Sequence, residues 1–262
     1  MKRIHSADNP LFRRLLALAQ QPAAVRRLDQ AWLEGPHLGQ AALEAGLQVV
    51  ALVCAEDALH DPQVAALAER VPDSRQVLLG AALFRRLSAV AHGPAVGLLV
   101  ARPAAPPPRP GVAVVLDRLQ DAGNVGTVLR TAAAAGAAMA YCLRGCAGAW
   151  TPKVLRAGMG AHFAIAVVED VSWEDIRAKL PRPLYATAAQ GARALYGLDL
   201  RHAVTWVFGN EGGGVDQAIA GDCDALVAIP QRGAVESLNV AAAAAVCLYE
   251  GLRQQLAAAA GG

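Results

Sequence analysis

The 262-residue chain has no uninterrupted apolar run of about 18 residues, the minimum for a membrane-crossing helix. Its Ala-rich tracts, Ala132–Ala135 and Ala241–Ala245, raise the hydrophobic fraction to 55% without making such a run. No membrane partner is therefore expected. The first residues, Met1 to Ser6, lead into polar sequence rather than an apolar signal core, so a cytoplasmic protein is expected. Cysteine is sparse: Cys54, Cys142, Cys146, Cys223 and Cys247 are scattered and odd in number. Cys142 and Cys146 lack a second Cys/His pair nearby, so no metal site is expected and the thiols read as reduced, structural residues. The dinucleotide pattern G-x-G-x-x-G and the phosphate loop G-x-x-x-x-G-K-S/T are both missing. The first absence argues against a nicotinamide-dependent oxidoreductase. There is also no internal repeat.

With 18% charged residues, the chain has the composition of a globular protein with a large core. The net charge of +2 is bland, but it is unevenly spread. Residues 1–110 carry 12 Lys/Arg against 9 Asp/Glu, whereas the remainder carries 12 against 13. The doublets Lys2-Arg3, Arg13-Arg14, Arg26-Arg27 and Arg85-Arg86 concentrate positive charge in the first part. They could neutralise phosphates, or they could simply be solvated helix faces.

The stretch Arg102–Pro110 holds five prolines, and nothing in it can continue a helix or a central strand. It reads as a linker over 103–110, between one domain at 1–102 and another at 111–262. In the first, Leu11, Leu15 and Leu18 predict a helix over Asn9–Ala19, with Asn9 as cap and Pro10 in the first turn. Strands are expected at Ala31–Leu33, Val49–Val53, Val77–Leu79 and Val96–Val100, with helices at His37–Ala45, Val64–Glu69 and Ala82–Leu87. In the second, Val112–Leu116 is the continuous apolar run of a strand buried on both faces. A loop Asp117–Gly123 and a helix through Ala135 follow. Further strands are expected at Met139–Leu143, Phe163–Val167, Leu184–Ala186, Thr205–Phe208 and Ala225–Ile229, and a long helix from about Asn239 to Leu256. This alternation predicts an α/β fold with a mostly parallel sheet and helices on both faces.

Three segments of the second part could carry chemistry. Asn124, Gly126 and Arg130 follow a strand at a helix start, where Asn124 could cap the helix and Arg130 could reach an anion. Phe208–Val215 places a glycine loop at the end of an apolar strand, where open parallel sheets bind ligands. Within it, Glu211 could face a cation or order an arginine. Ile229–Val240 ends a strand and opens the last helix, with Ser237 or Asn239 available as cap and the helix start as an anion site. Each segment alone reads equally well as ordinary turn and cap chemistry.

Taken together and in order, the segments closely resemble the SpoU/TrmH family of RNA 2′-O-ribose methyltransferases, part of the SPOUT superfamily. The residues concerned are Asn124-x-Gly126-x-x-x-Arg130, Phe208-Gly-Asn-Glu-Gly212, and Ile229-Pro230 followed by Glu236-Ser-Leu-Asn-Val240. Lys153–Phe163 resembles the stretch between the first two, although Gly158 stands where many members carry serine. The likeness spans residues 112–255 and extends more loosely to Asn9-Pro10-Leu11 and Leu33-Glu34-Gly35.

The resemblance implies a C-terminal α/β trefoil-knot domain preceded by a small α/β, ribosomal-protein-like substrate-binding domain. It also implies S-adenosyl-L-methionine as methyl donor, an RNA substrate and a homodimer. The two-domain layout favours ribosomal RNA over transfer RNA. A non-catalytic RNA-binding or ribosome-assembly protein of the same fold is the alternative from another class. The implied catalytic set is Arg130, Asn124, Glu211, Ser237 and Asn239, with Glu211 pairing with Arg130. The donor pocket is implied at Gly209, Asn210, Ile229, Pro230 and Leu238, with the adenine held chiefly by backbone groups. Because a guanidinium stays protonated, Arg130 is expected to bind phosphate and offset developing alkoxide charge rather than act as a base.

Overall fold

The structure is a computed structural model that describes residues 1–88, 95–189, 193–233 and 237–260. Glu236, within the third segment, lies outside the described residues. By its contacts the chain forms two compact units, one of Met1–Ala104 with Trp150–Phe163, the other of Ala105–Ala149 with Ala164–Gly262.

The first unit contains β1 (Lys2–Ile4), α1 (Pro10–Gln20), α2 (Pro22–Leu28), β2 (Gln30–Glu34) and α3 (Pro36–Glu44). It continues with β3 (Val49–Ala55), α4 (Pro62–Glu69), β4 (Gln76–Leu79), α5 (Ala81–Leu87) and β5 (Val96–Ala101). The expected strands and helices are present; the three-residue β1 and the short α2 carried no period long enough to read. The sheet runs β1-β4-β3-β5-β2. It is mixed, because β5 pairs antiparallel with both β2 and β3. As expected, Asn9 caps α1, its Oδ1 accepting from Leu11 N at 2.9 Å. Phe12, Leu15 and Leu18 form the buried stripe. α7 (Pro152–Gly158) packs on β2 within this unit.

The second unit contains β6 (Ala113–Leu116), α6 (Ala122–Ala134), β7 (Met139–Leu143), the last residue of α8 (Ala161–Ala164), β8 (Ala166–Val171) and α9 (Trp173–Ile176). Then come β9 (Leu184–Thr187), β10 (Arg193–Ala194), β11 (Thr205–Phe208), α10 (Gln217–Asp222), β12 (Ala225–Ala228) and α11 (Val240–Ala260). The sheet order is β10-β12-β9-β11-β6-β7-β8, and its pairings are parallel. The continuous apolar runs at β6 and β11 follow from burial on both faces. Val115 and Val207 share a core with Trp173 and Ile176 of α9 and Ile219 of α10. Trp206, pointing to the opposite face, lies with Leu248 and Gly251 of α11.

Two boundaries differ from expectation. Phe163 sits in the short α8, and the strand expected to start there begins at Ala166. α6 begins at Ala122, inside the expected loop, because Asp121 and not Asn124 is its cap: Asp121 Oδ1 accepts from Asn124 N at 2.7 Å. Asn124 is thus freed to point its side chain elsewhere.

Candidate functional site

Parallel strands present their carboxyl ends on one edge of the sheet, so the loops after β9, β11 and β12 emerge together. With the start of α11 they enclose a cavity of about 530 Å³, within the ordinary range for a small-molecule pocket. Its wall comprises Thr187–Ala189, residues of the 209–214 loop, Ile229 and Gln231, and residues of 237–243. Gly209, Asn210, Glu211, Ile229, Ser237, Leu238 and Asn239 from the sequence reading are all in it. Pro230 is exposed, and the wall beside it is formed by its neighbours Ile229 and Gln231.

The 209–214 loop is folded tightly on itself. Asn210 N donates to Gly214 O at 3.0 Å and Gly214 N returns a bond to Asn210 O at 2.9 Å. Asn210 Oδ1 accepts from Gly212 N at 2.9 Å and Gly213 N at 3.2 Å, while its Nδ2 donates to Arg118 O at 2.9 Å. The Asn210 side chain therefore shapes the pocket by holding its loop. Gly209 is fixed by a close approach: a Cβ there would fall 2.1 Å from the backbone of Gly214 and Val215.

Behind the loop, buried Asp117 takes two bonds from Arg118, at 2.8 and 2.9 Å, and one from Asp216 N at 2.8 Å. These bonds, with the neighbouring charge, push the Arg118 pKa up. Asp117 follows β6 directly and Asp216 caps α10, so the bracket ties the end of β6 to the helix that follows the glycine loop.

A second chain of bonds joins the three segments. Asn239 Oδ1 caps α11, accepting from Ala241 N at 2.9 Å and Ala242 N at 3.3 Å. Its Nδ2 donates to Asn124 Oδ1 at 3.1 Å, and Asn124 Nδ2 donates to Glu211 Oε1 at 3.0 Å. The direction is set from both ends. Backbone N–H groups require an oxygen from Asn239, and a carboxylate requires a donor from Asn124. Glu211 thus pairs with Asn124 and not, as expected, with Arg130. Arg130 is exposed, and among the described residues its side chain makes no hydrogen bond or ion pair. It lies six residues beyond Asn124, about 9 Å further along α6 and on another face of it.

Sequence reasoning missed Thr187–Ala189, Asp117, Arg118, Asp121 and Asp216. Thr187 had a usable signal, since the ends of neighbouring parallel strands share a ligand edge. The bracket of Asp117, Arg118 and Asp216 had none, because its members are 99 residues apart at the extremes. Among the described residues no cluster of His, Cys, Asp and Glu could hold a metal ion.

The fold and site define an α/β protein with a ligand cavity at the carboxyl edge of a parallel sheet. The model of the SpoU rRNA Methylase family matches residues 111–249, and the chain belongs to that family. It is 34% identical to an uncharacterized tRNA/rRNA methyltransferase of Synechocystis sp., across 97% of this chain and 95% of that protein. It is 35% identical to RlmP, a 23S rRNA (guanosine(2553)-2′-O)-methyltransferase of Bacillus subtilis; this match covers 63% of the chain and 64% of the relative. Among solved structures, the SpoU methyltransferase AviRb from Streptomyces viridochromogenes, in complex with the cofactor AdoMet, superposes with a TM-score of 0.87 at 26% identity. That likeness covers 95% of this chain and 98% of AviRb.

Proposed function

We propose that the chain is an S-adenosylmethionine-dependent RNA 2′-O-ribose methyltransferase acting on ribosomal RNA. The observation that carries this reading is the 530 Å³ cavity whose wall is joined to α6 by the Asn239–Asn124–Glu211 chain of bonds, in a member of the SpoU family. The names of RlmP and AviRb support the substrate and the cofactor.

The residues present fit the donor. The cavity is of nucleoside size, and Gly209, in its wall, has no room for a side chain beside the backbone of Gly214 and Val215. Gly209, Ile229 and Leu238 hold the adenine through backbone groups, and Asn210 and Pro230 shape the loops that do so. When bound, the donor supplies an electrophilic methyl group on a sulfonium. The protein's task is to place a ribose 2′-hydroxyl in line with that group and stabilise its oxygen as the proton leaves. Arg130 has a permanent charge and no partner among the described residues, so it is available to bind the acceptor phosphate and offset negative charge on the attacking oxygen. Asn124 and Glu211 position the α6 start and the glycine loop relative to one another. Ser237 and Asn239 stand at the N-terminus of α11, where backbone dipoles favour an anion.

Residues 1–102 are the RNA-binding domain, 103–110 the linker and 111–262 the methyltransferase domain. The unit boundary between Ala104 and Ala105, inside the proline-rich stretch, supports the linker, whereas Trp150–Phe163, counted here with the second domain, group by their contacts with the first unit. The second domain is knotted. In support, β11 and β12, the last two strands in sequence, each pair with the earlier β9, and α11 turns back onto α6. Two copies form the working assembly; Tyr249 and Leu256, seven residues apart on α11 and both exposed, supply an apolar stripe for it. Tritiated S-adenosylmethionine offered with transcripts of 23S ribosomal RNA and of transfer RNA tests the reading. Label is expected at a ribose of the ribosomal transcript. Label on a base, or on neither RNA, would overturn it.

A further inference from the structure

The first unit segregates its charge between the two faces of its sheet. Trp32 on β2 meets Phe84 of α5, ring centroids 6.3 Å apart. Its neighbour Leu33, opposite Leu98 of β5, points the other way, and Leu98 packs under Gly39 of α3, which also touches Leu67 of α4. So α5 covers one face and α3 with α4 the other. α1 packs against both α5 and α2, placing these three helices in one layer.

That layer carries six arginines, Arg13, Arg14, Arg26, Arg27, Arg85 and Arg86, with no lysine and no acidic residue within the helices. All six are exposed. The opposite layer, α3 and α4, carries Glu44 and Glu69 and no arginine or lysine within the helices, while Arg70, just past α4, pairs with Glu44 at 4.0 Å. A merely solvated helix face ordinarily interleaves charges at i,i+4, where they attract one another. Here Arg13 pairs with Asp8, outside the helices, and Arg86 lies over the Phe12 ring, 5.3 Å from its centroid. Arg14, Arg27 and Arg85 have no acidic partner among the described residues. Three adjacent helices thus leave several fixed charges uncompensated on one side of the unit. Their identity adds a second point, since the planar guanidinium pairs with phosphate through two parallel bonds and a lysine cannot.

We propose that the α1–α2–α5 face is the surface on which the protein grips the RNA sugar–phosphate backbone outside the methylation site. This rests on the reading of the protein as an RNA methyltransferase. Phosphate contacts of this kind set affinity and its salt dependence without reading sequence.

The test measures binding of full-length protein to a 23S ribosomal RNA transcript across a salt series. It compares wild type, the triple variant Arg14→Gln/Arg27→Gln/Arg85→Gln, the corresponding triple Arg→Lys variant, and Arg70→Gln at the end of α4 as a control. Losing three phosphate contacts is expected to lower the slope of log affinity against log salt by about two, weakening binding roughly a hundred-fold at 0.1 M salt. The Lys variant should keep most of the slope, and Arg70→Gln all of it. Unchanged thermal stabilisation by S-adenosylhomocysteine would show that the triple Gln variant is folded with its donor site intact. If that variant keeps the wild-type slope and affinity, the surface is wrong while the methyltransferase reading stands. If wild type neither binds nor methylates RNA, both fail.

Discussion

Asn239 does two separable things at the residue scale. Its Oδ1 caps α11 and its Nδ2 holds Asn124. Asn239→Asp keeps the cap, since Asp and Asn cap about equally well, but puts an acceptor against Asn124 Oδ1. A thermal midpoint close to wild type is expected together with a fall of ten-fold or more in kcat/KM for RNA. Equal activity would show that the Asn124 contact is incidental. Gly209→Ala forces a Cβ to within 2.1 Å of backbone that is itself hydrogen-bonded. It should lower stability by about 1–3 kcal/mol and abolish the thermal shift with S-adenosylhomocysteine; a retained shift would mean that the loop does not form the donor wall. Burial pushes the Cys146 and Cys223 thiols up to about 11 and Cys247 up to about 12. These thiols are protonated at pH 8 and should alkylate far more slowly than a free thiol, because the thiolate is the nucleophile. Rapid labelling of the folded protein would contradict the packing around them.

On the scale of elements, α11 is held to the rest of its unit by a polar latch. Glu250 accepts from Arg253 Nε and Nη2, both at 2.8 Å, and from Gln254 Nε2 at 2.8 Å. Gln254 in turn bonds Leu198 O and Leu200 N. The Arg253 guanidinium and the Gln254 amide lower the Glu250 pKa to about 2. A depressed folded-state value means that the stabilisation is present above the unfolded value near 4.3 and is lost as pH falls from there to about 2. Glu250→Gln should therefore flatten the fall of the thermal midpoint between about pH 4.5 and pH 2. An unchanged slope would place the acid sensitivity elsewhere. Elements of this kind were unevenly legible in the sequence. The long helix, the strands with continuous apolar runs and the Asn9 cap were plain, because one period or one residue type decides them. The start of α6 was not. Asp121 and Asn124 are both good caps, and only the bond to Glu211, 87 residues away, settles which of them turns its side chain outward.

At the scale of the whole molecule, the cavity depends on strands that are distant in sequence. β9, β11 and β12 are neighbours in the sheet although β10 and α10 separate them along the chain. No periodicity encodes that order, so the resemblance to a family, carried by residues at the strand ends, was the route from sequence to site. It placed Gly209, Glu211, Ile229, Ser237, Leu238 and Asn239 around one cavity. It did not place the pairing of Glu211, which follows from side-chain geometry alone. The mixed sheet of the first unit was equally hidden, since the reversal at β5 falls between strands whose composition resembles that of parallel neighbours.

The most direct test is mass spectrometry of nucleosides from 23S ribosomal RNA incubated with S-adenosylmethionine and either wild-type protein or Arg130→Ala, with S-adenosylhomocysteine binding measured on both. Wild type should produce a 2′-O-methylated nucleoside, and Arg130→Ala should lose that product by a hundred-fold or more while binding S-adenosylhomocysteine normally. No ribose methylation by wild-type protein that binds the donor product, or undiminished methylation by Arg130→Ala, would contradict the account.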